Sequence, residues 1–164
     1  MFQQRLVVSV LAIRGQLSNR EILLQRRSKE NDDTPYTGYL ELPQGKVEAG
    51  ESILAAAQRE MAEETGLRIT RIIHGAEERM AAGDHSDLHI SWPLVCVADR
   101  IQNHFAVAVV AFVAGDTNAS AEADSHAWYT DDEVWKFMDQ GVVFPLNRPM
   151  LVEYLRSDLP VLLS

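Results

Sequence analysis

The sequence predicts an α/β layered domain built on a mixed β-sheet, and three observations lead there. Apolar runs rich in β-branched residues open the chain and recur in its middle; one alanine-rich segment is inserted early, at 52–65; two further helix-like segments close it, at 131–140 and 148–157. Strands first, one helix among them and helices last is the order of a layered α/β domain.

Each element has a local reason. "RLVVSVLAI" (5–13), bounded by Gly15, reads as a buried strand, and "EILLQRR" (21–27) after the turn "GQLSN" reads as its hairpin neighbour. The polar "SKENDDTPYTG" (28–38) is a loop, and "YLELP" (39–43) a short extended piece limited by Pro43. Ser52 or Glu51 opens a helix through "SILAAAQREMAEET", where three consecutive alanines supply propensity and Gly66 supplies the stop. "LRITRIIHGAEERM" (67–80) and "LHISWPLVCVA" (88–98) read as strands that Gly75 and Pro93 interrupt. "HFAVAVVAFVA" (104–114) is apolar throughout, as a central strand is. After the loop 115–125, "HAWYT" (126–130) is a short strand with Trp128 as a core anchor. Thr130 or Asp131 caps a helix that Gly141 ends, and Pro149 sits near the first turn of the last helix.

With 164 residues, 46% of them apolar, one ordinary core can be filled, and residues 1–164 are expected to form a single domain. There are 24 acidic residues against 15 basic, a formal charge of −9, and the basic residues are dispersed apart from Arg26-Arg27. A surface that tracks nucleic-acid phosphates needs clustered cations, so that partner is disfavoured; an anionic substrate would need a metal cation to bridge it to the protein. Cys96 is the sole cysteine, so no internal disulfide forms, and its run "PLVCVA" makes it a small core residue. The apolar run 6–13 is far too short to span a bilayer and no secretory signal is evident, so a cytoplasmic location with no membrane partner is expected.

The chemistry concentrates in "GKVEAGESILAAAQREMAEETGL", Gly45 to Leu67. At about 100° per residue, Glu60 and Glu64 lie about 40° apart on the helix and Glu63 about 60° to the other side of Glu60, so their carboxylates can converge. Such a cluster repels itself unless cations neutralise it, and hard oxygen ligands at this spacing suit Mg²⁺ or Mn²⁺. Gly45 and Gly50 permit backbone conformations closed to other residues, which would let a carbonyl near Gln44 face the metal. Arg59 is placed to clamp one glutamate through a fork of hydrogen bonds. An acidic helix segment alone is ordinarily a solvated face; Gly45, Glu51 and Gly66 at fixed distances from it are what a solvated face does not require.

The spacing G-x5-E-x7-R-E-U-x-E-E-x-G-U, with U aliphatic, resembles the Nudix box of MutT-like Nudix hydrolases at every specified position. The resemblance implies the Nudix fold, an α/β/α sandwich. It also implies hydrolysis of a pyrophosphate bond in a nucleoside diphosphate linked to another moiety, by water attacking phosphorus with the help of Mg²⁺ or Mn²⁺. On this resemblance Glu60, Glu63, Glu64 and the backbone at Gln44 are metal ligands, while Glu51 and Arg59 act with Glu63 and Glu64 in catalysis. The general base is either a box glutamate, Glu63 or Glu64, or an acidic residue on a later loop, Glu122 or Asp124. A homodimer is compatible with the family.

Substrate marks of several Nudix subfamilies are missing. The proline of ADP-ribose enzymes would fall at Ala82 and the tyrosine of dinucleoside polyphosphate enzymes at Gly83 to His85; the coenzyme A pattern begins at "LLQRRS" without its second arginine, and the NADH pattern is absent. Nucleoside triphosphates and nucleotide sugars remain, and Tyr36, Tyr39, Trp92 and Phe144 are aromatic candidates to stack on a base or simply to pack. His85 and His89 fall in a loop-to-strand region and read as solvated or packed, not as ligands. Two other classes are a nucleotide sensor without turnover, which the intact box disfavours, and an isoprenoid diphosphate isomerase, which the apolar setting of Cys96 disfavours.

Overall fold

The computed structural model describes residues 4–15, 19–28, 35–74, 77–80, 87–117 and 123–157, leaving the side chains of 77–80, 123 and 124 aside. In order these form β1 (Arg5–Arg14), β2 (Glu21–Arg27), β3 (Leu40–Glu41), β4 (Gln44–Lys46), α1 (Ile53–Thr65), β5 (Arg68–His74), β6 (Glu77–Met80), β7 (Leu88–Ser91), β8 (Cys96–Asp99), β9 (His104–Ala114), β10 (Ala123–Thr130), α2 (Asp131–Asp139), a 3-10 turn (Pro145–Asn147) and α3 (Arg148–Arg156). The main sheet runs β10-β2-β1-β9-β5, with β3 on β2, β4 on β1 and β8 on β9; β6 and β7 pair separately. It is mixed because β1 and β9 run parallel, in register from Arg5↔His104 to Ile13↔Phe112, while its other pairings are antiparallel.

Alternation along the strands sends apolar side chains to both faces. On one face Val8, Val10, Leu23, Val107 and Val109 pack against Ala56, Ala57 and Met61 of α1. On the other Leu11, Ile22, Leu24 and Val110 meet Val134 and Met138 of α2 and Met150, Leu151 and Tyr154 of α3. The result is the expected α/β/α sandwich. Small Ala56 and Ala57 let α1 lie close to the sheet; Ser52 caps its start by accepting the Ala55 N–H at 3.2 Å, and Gly66 (φ 76°) closes it with an N–H to the Ala62 carbonyl.

One irregularity positions the site. β1 and β2 pair only at one end, Ile13↔Ile22 and Arg14↔Glu21, and then diverge. β4 fills the gap on β1 and β3 fills it on β2. Pro43, which has no N–H, lies between them while its carbonyl accepts the Val10 N–H at 2.9 Å. The segment expected to be only a loop before the helix is therefore strand at Gln44–Lys46. β10 likewise starts three residues before "HAWYT", because a register shift between Asp124 and Ala127 absorbs an extra residue opposite β2.

Cys96 corrects an expectation. It is exposed, not buried; among the described residues β8 pairs only with β9. An apolar run on such a strand need not be core. Burial therefore cannot argue against a reactive Cys96; its position does, because Cys96 lines neither of the two clefts described below. Trp128 is half-buried on the α1 face, with the Arg14 guanidinium 4.4 Å from its ring centroid. Among the described residues no helix is long and apolar enough to cross a membrane.

Candidate active site

β4 and α1 face each other, and the box residues line the seam. Because Pro43 and Gly45 direct their backbone groups to β1, antiparallel alternation turns the polar backbone of Gln44 and Lys46 toward α1. The Gln44 N–H donates to Glu64 Oε2 at 2.9 Å, and the Lys46 carbonyl accepts from Arg59 Nη2 at 2.8 Å. Glu60 and Glu64, one helical turn apart, are both buried, at 8% and 3% exposure. Carboxylates at that depth need donors or cations around them.

Arg59 supplies them on one side. Its guanidinium grips Glu51 through Nε–Oε1 at 2.8 Å and Nη2–Oε2 at 2.9 Å, and its Nη1 reaches Glu60 Oε1 at 2.6 Å and Glu63 Oε2 at 3.3 Å. The Arg59 hydrogen bonds hold the Glu51 carboxyl below its usual range, and the same pair raises the arginine further. On the other side Glu64 Oε2 accepts from both Gln44 N–H and Gln25 Nε2, each at 2.9 Å. The expectation that Glu60, Glu63 and Glu64 converge is thus corrected: Arg59 gathers Glu60 and Glu63, whereas two amides draw Glu64 toward the sheet. Glu63 is largely exposed, with 61% of its side chain accessible. Among the described residues no three acidic, histidine or cysteine side chains stand together as a metal cage.

Gly45 has a different role from the one expected. Its φ is not positive; instead a Cβ there would land on the Glu60 carboxyl group. Gly50, at φ 79°, does use the conformational freedom of glycine. The Gln44 side chain points away from α1, where its Oε1 accepts from Asn147 Nδ2 at 2.7 Å and Ser9 Oγ at 2.9 Å, and Asn147 Oδ1 accepts the Leu42 N–H at 3.0 Å.

Sequence reasoning missed three neighbours. Glu41 is buried on β3 and takes Arg27 Nη1 at 2.7 Å on Oε2; Gln25, fully buried on β2, donates to Glu64 and, at 3.4 Å, to Glu41; His126 on β10 lies 3.1 Å from Gln25 Oε1. The one available signal was a glutamine inside the apolar strand "EILLQRR", since a polar residue at a buried strand position needs a partner. Glu122 lies outside the described residues. Asp124, the second residue of β10, pairs with Arg26. His85 is likewise outside, and His89 pairs with Asp87 at 3.5 Å.

One cleft lies beyond Arg27 and a second borders the seam itself. The first, of about 490 Å³, lies against Arg27, Tyr36, Val97, His104, Phe144 and Leu146; burial lowers the pKa of His104 there. Arg27 joins it to Glu41, its guanidinium 4.4 Å from the Phe144 ring centroid, and Tyr36 packs edge-on to both Tyr39 and Phe144. The other, about 810 Å³, is bordered by Val47, Gly50, Glu51, Arg59 and His89. Trp92, about half exposed, borders neither.

Comparison with known proteins gives a family and a fold. The family model described as NUDIX domain matches residues 3–143. An octanoyltransferase of Myxococcus xanthus is 32% identical over 121 residues, 74% of this chain, and the chain spans 29% of that protein's length. Among solved structures, the NUDIX domain of Shewanella oneidensis NrtR, complexed with ADP ribose, superposes with a TM-score of 0.62 at 18% identity, covering 95% of this chain and 88% of that one. A MutT NUDIX hydrolase from Burkholderia pseudomallei gives 0.55 at 22%, over 80% and 86% of the two chains. At these identities the structural likeness speaks for the fold.

Proposed function

The chain belongs to the NUDIX domain family, whose members cleave nucleoside diphosphates linked to another moiety, and from that premise we propose a Mg²⁺- or Mn²⁺-dependent pyrophosphohydrolase acting on nucleoside triphosphates or nucleotide sugars. The carrying observation is the pair of buried carboxylates, Glu60 and Glu64, set one turn apart on α1 with Glu60 seated over Gly45. The donor set fits a hard divalent cation: carboxylate oxygens, backed by the backbone of Gln44 and by the exposed Glu63. When bound, the cation supplies the charge that neutralises the pyrophosphate and the polarisation that makes a water nucleophilic.

The remaining roles fall to the chain's own side chains. Arg59, anchored on Glu51 and the Lys46 carbonyl, orients Glu60 and offsets its charge until the cation arrives. Two donors fix Glu64 through Oε2, which suits a ligand more than a proton acceptor. Glu63, exposed and held among the described residues by a long contact to Arg59, has the room to take a proton from an attacking water, and we assign it the general base. The cleft lined by the packed rings of Tyr36 and Phe144 accepts the nucleoside, and Arg27 on its rim meets a phosphate.

The experiment is product analysis over nucleoside triphosphates, nucleotide sugars and ADP-ribose with Mg²⁺, with and without chelator. We expect nucleoside monophosphate release that chelator abolishes, and losses on the order of a hundredfold or more in kcat for Glu64→Gln. ADP-ribose belongs in the panel because a structurally similar domain was solved with it. Tight binding without product would instead make the chain a sensor.

A further inference from the structure

We propose that His126 is a positioning residue for Glu64, acting through the amide of Gln25. The inference rests on the metal-dependent reading above. Gln25 is fully buried between two carboxylates, its Nε2 lying 2.9 Å from Glu64 Oε2 and 3.4 Å from Glu41 Oε1. Ionised carboxylates only accept hydrogen bonds, so the amide nitrogen must face them and Oε1 must face away. That oxygen lies 3.1 Å from His126 Nε2. An amide oxygen only accepts, so His126 presents Nε2–H to it, and the contact fixes the ring's tautomer as well as the amide's rotation.

The backbone is shaped to bring this ring in. In β10, Asp124 pairs with Arg26 and Ala127 with Leu24, so Ser125 and His126 together oppose the single residue Gln25. Within that bulge Ser125 takes φ 54°, a left-handed conformation that a serine adopts at a cost. A bulge re-aims a side chain, and here the side chain beside it meets a buried glutamine. Without His126, Gln25 Oε1 loses a donor inside the protein, and the amide is no longer held from both ends. Glu64 would then keep the Gln44 N–H but lose a fixed partner in Gln25. Partners of this kind behind a metal ligand are worth about ten- to a hundredfold in metal affinity.

The test is Mn²⁺ titration, followed by calorimetry, of the wild type, His126→Leu, His126→Gln, Gln25→Leu and the double variant, with kcat on the best substrate and thermal unfolding in chelator. We expect His126→Leu to weaken Mn²⁺ by roughly tenfold and to lower kcat. His126→Gln, which can still donate an N–H, should recover most of both. In the Gln25→Leu background His126→Leu should change nothing further. Should His126→Leu fail to fold, His126→Ala carries the same comparison. Unchanged Mn²⁺ affinity in a folded His126→Leu, no recovery with glutamine, or an undiminished effect in the Gln25→Leu background each overturns the proposal while wild-type binding stands. A wild type that neither binds Mn²⁺ nor cleaves any pyrophosphate overturns the metal reading itself, and this inference with it.

Discussion

Gly45 and Gly50, five residues apart, are glycine for opposite reasons. An added Cβ at Gly50 meets nothing within 4 Å but is forced into φ 79°, whereas at Gly45 the backbone is ordinary and the Cβ lands on Glu60. Gly50→Ala should therefore lose on the order of 1 kcal/mol of stability with kcat kept. Gly45→Ala should keep most of its stability and lose at least about tenfold in kcat as Glu60 is displaced; chemical denaturation and steady-state kinetics on both check the contrast. Glu51 gives a prediction in pH. Its carboxyl is depressed from the usual 4.5, chiefly by the Arg59 hydrogen bonds and also by the Glu48 N–H, with burial opposing. A depressed folded pKa adds stability that is present above the unfolded value and lost as pH falls through the folded one. Thermal unfolding should thus find the wild type above Glu51→Gln at pH 6, the two converging below about pH 4. A gap that persists undiminished in acid contradicts the ion pair. These box residues were legible because helix periodicity and fixed spacing are local. Gln25, Glu41 and His126 were not, since strand register brings them together across tens of residues, and register is set by the whole sheet.

The secondary elements were legible wherever propensity and packing agreed. α1 has alanines, a serine cap and a glycine stop, and β1 and β9 are apolar on both faces because helices cover both. Legibility failed for elements too short to carry a period: β3 and β4 hold two and three residues and exist because β1 and β2 diverge around Pro43. The apolar run at Cys96 misled because a strand's composition does not say whether a second layer covers it. The helical layer of α2 and α3 carries its own unresolved tension. Tyr154 of α3 is fully buried, and its hydroxyl has no hydrogen-bond partner among the described residues, although the Arg20 guanidinium lies 4.8 Å from the ring centroid and pairs with Asp131 at the start of α2. Burial pushes the phenol above its usual value of 10, against the opposing pull of Arg20. Because the folded pKa is the raised one, stability is whole below about pH 10 and falls as pH rises and the unfolded chain ionises first. Tyr154→Phe removes an unsatisfied hydroxyl, and we expect it to gain about 1 kcal/mol, roughly 3 °C, at pH 7. The gain should widen above pH 10, and a melting temperature lower than wild type across that range contradicts the account.

At the scale of the whole molecule, a chain of formal charge −9 encloses two carboxylates of α1 and a third, Glu41, beside them. Arg59, Arg27 and the amides of Gln25 and Gln44 offset that charge in the described structure. A divalent cation that binds only the folded chain adds stability by mass action, about 2.7 kcal/mol at a hundred times its Kd. For a chain of this size that raises the melting temperature by on the order of 5 °C or more. Simple screening of the net charge would also stabilise the protein as salt is added, but it depends on ionic strength alone and so would act equally in any variant of similar charge. The two are separable by melting the wild type and Glu64→Gln in MgCl₂ and in KCl matched for ionic strength. The specific rise should appear with Mg²⁺ in the wild type and shrink to the KCl level in Glu64→Gln, a near-isosteric change that removes one anionic oxygen donor from the seam. Equal rises in both proteins and both salts would leave Mg²⁺ as no more than a screening ion, and the buried carboxylates as a charge cluster held by Arg59 and amides alone.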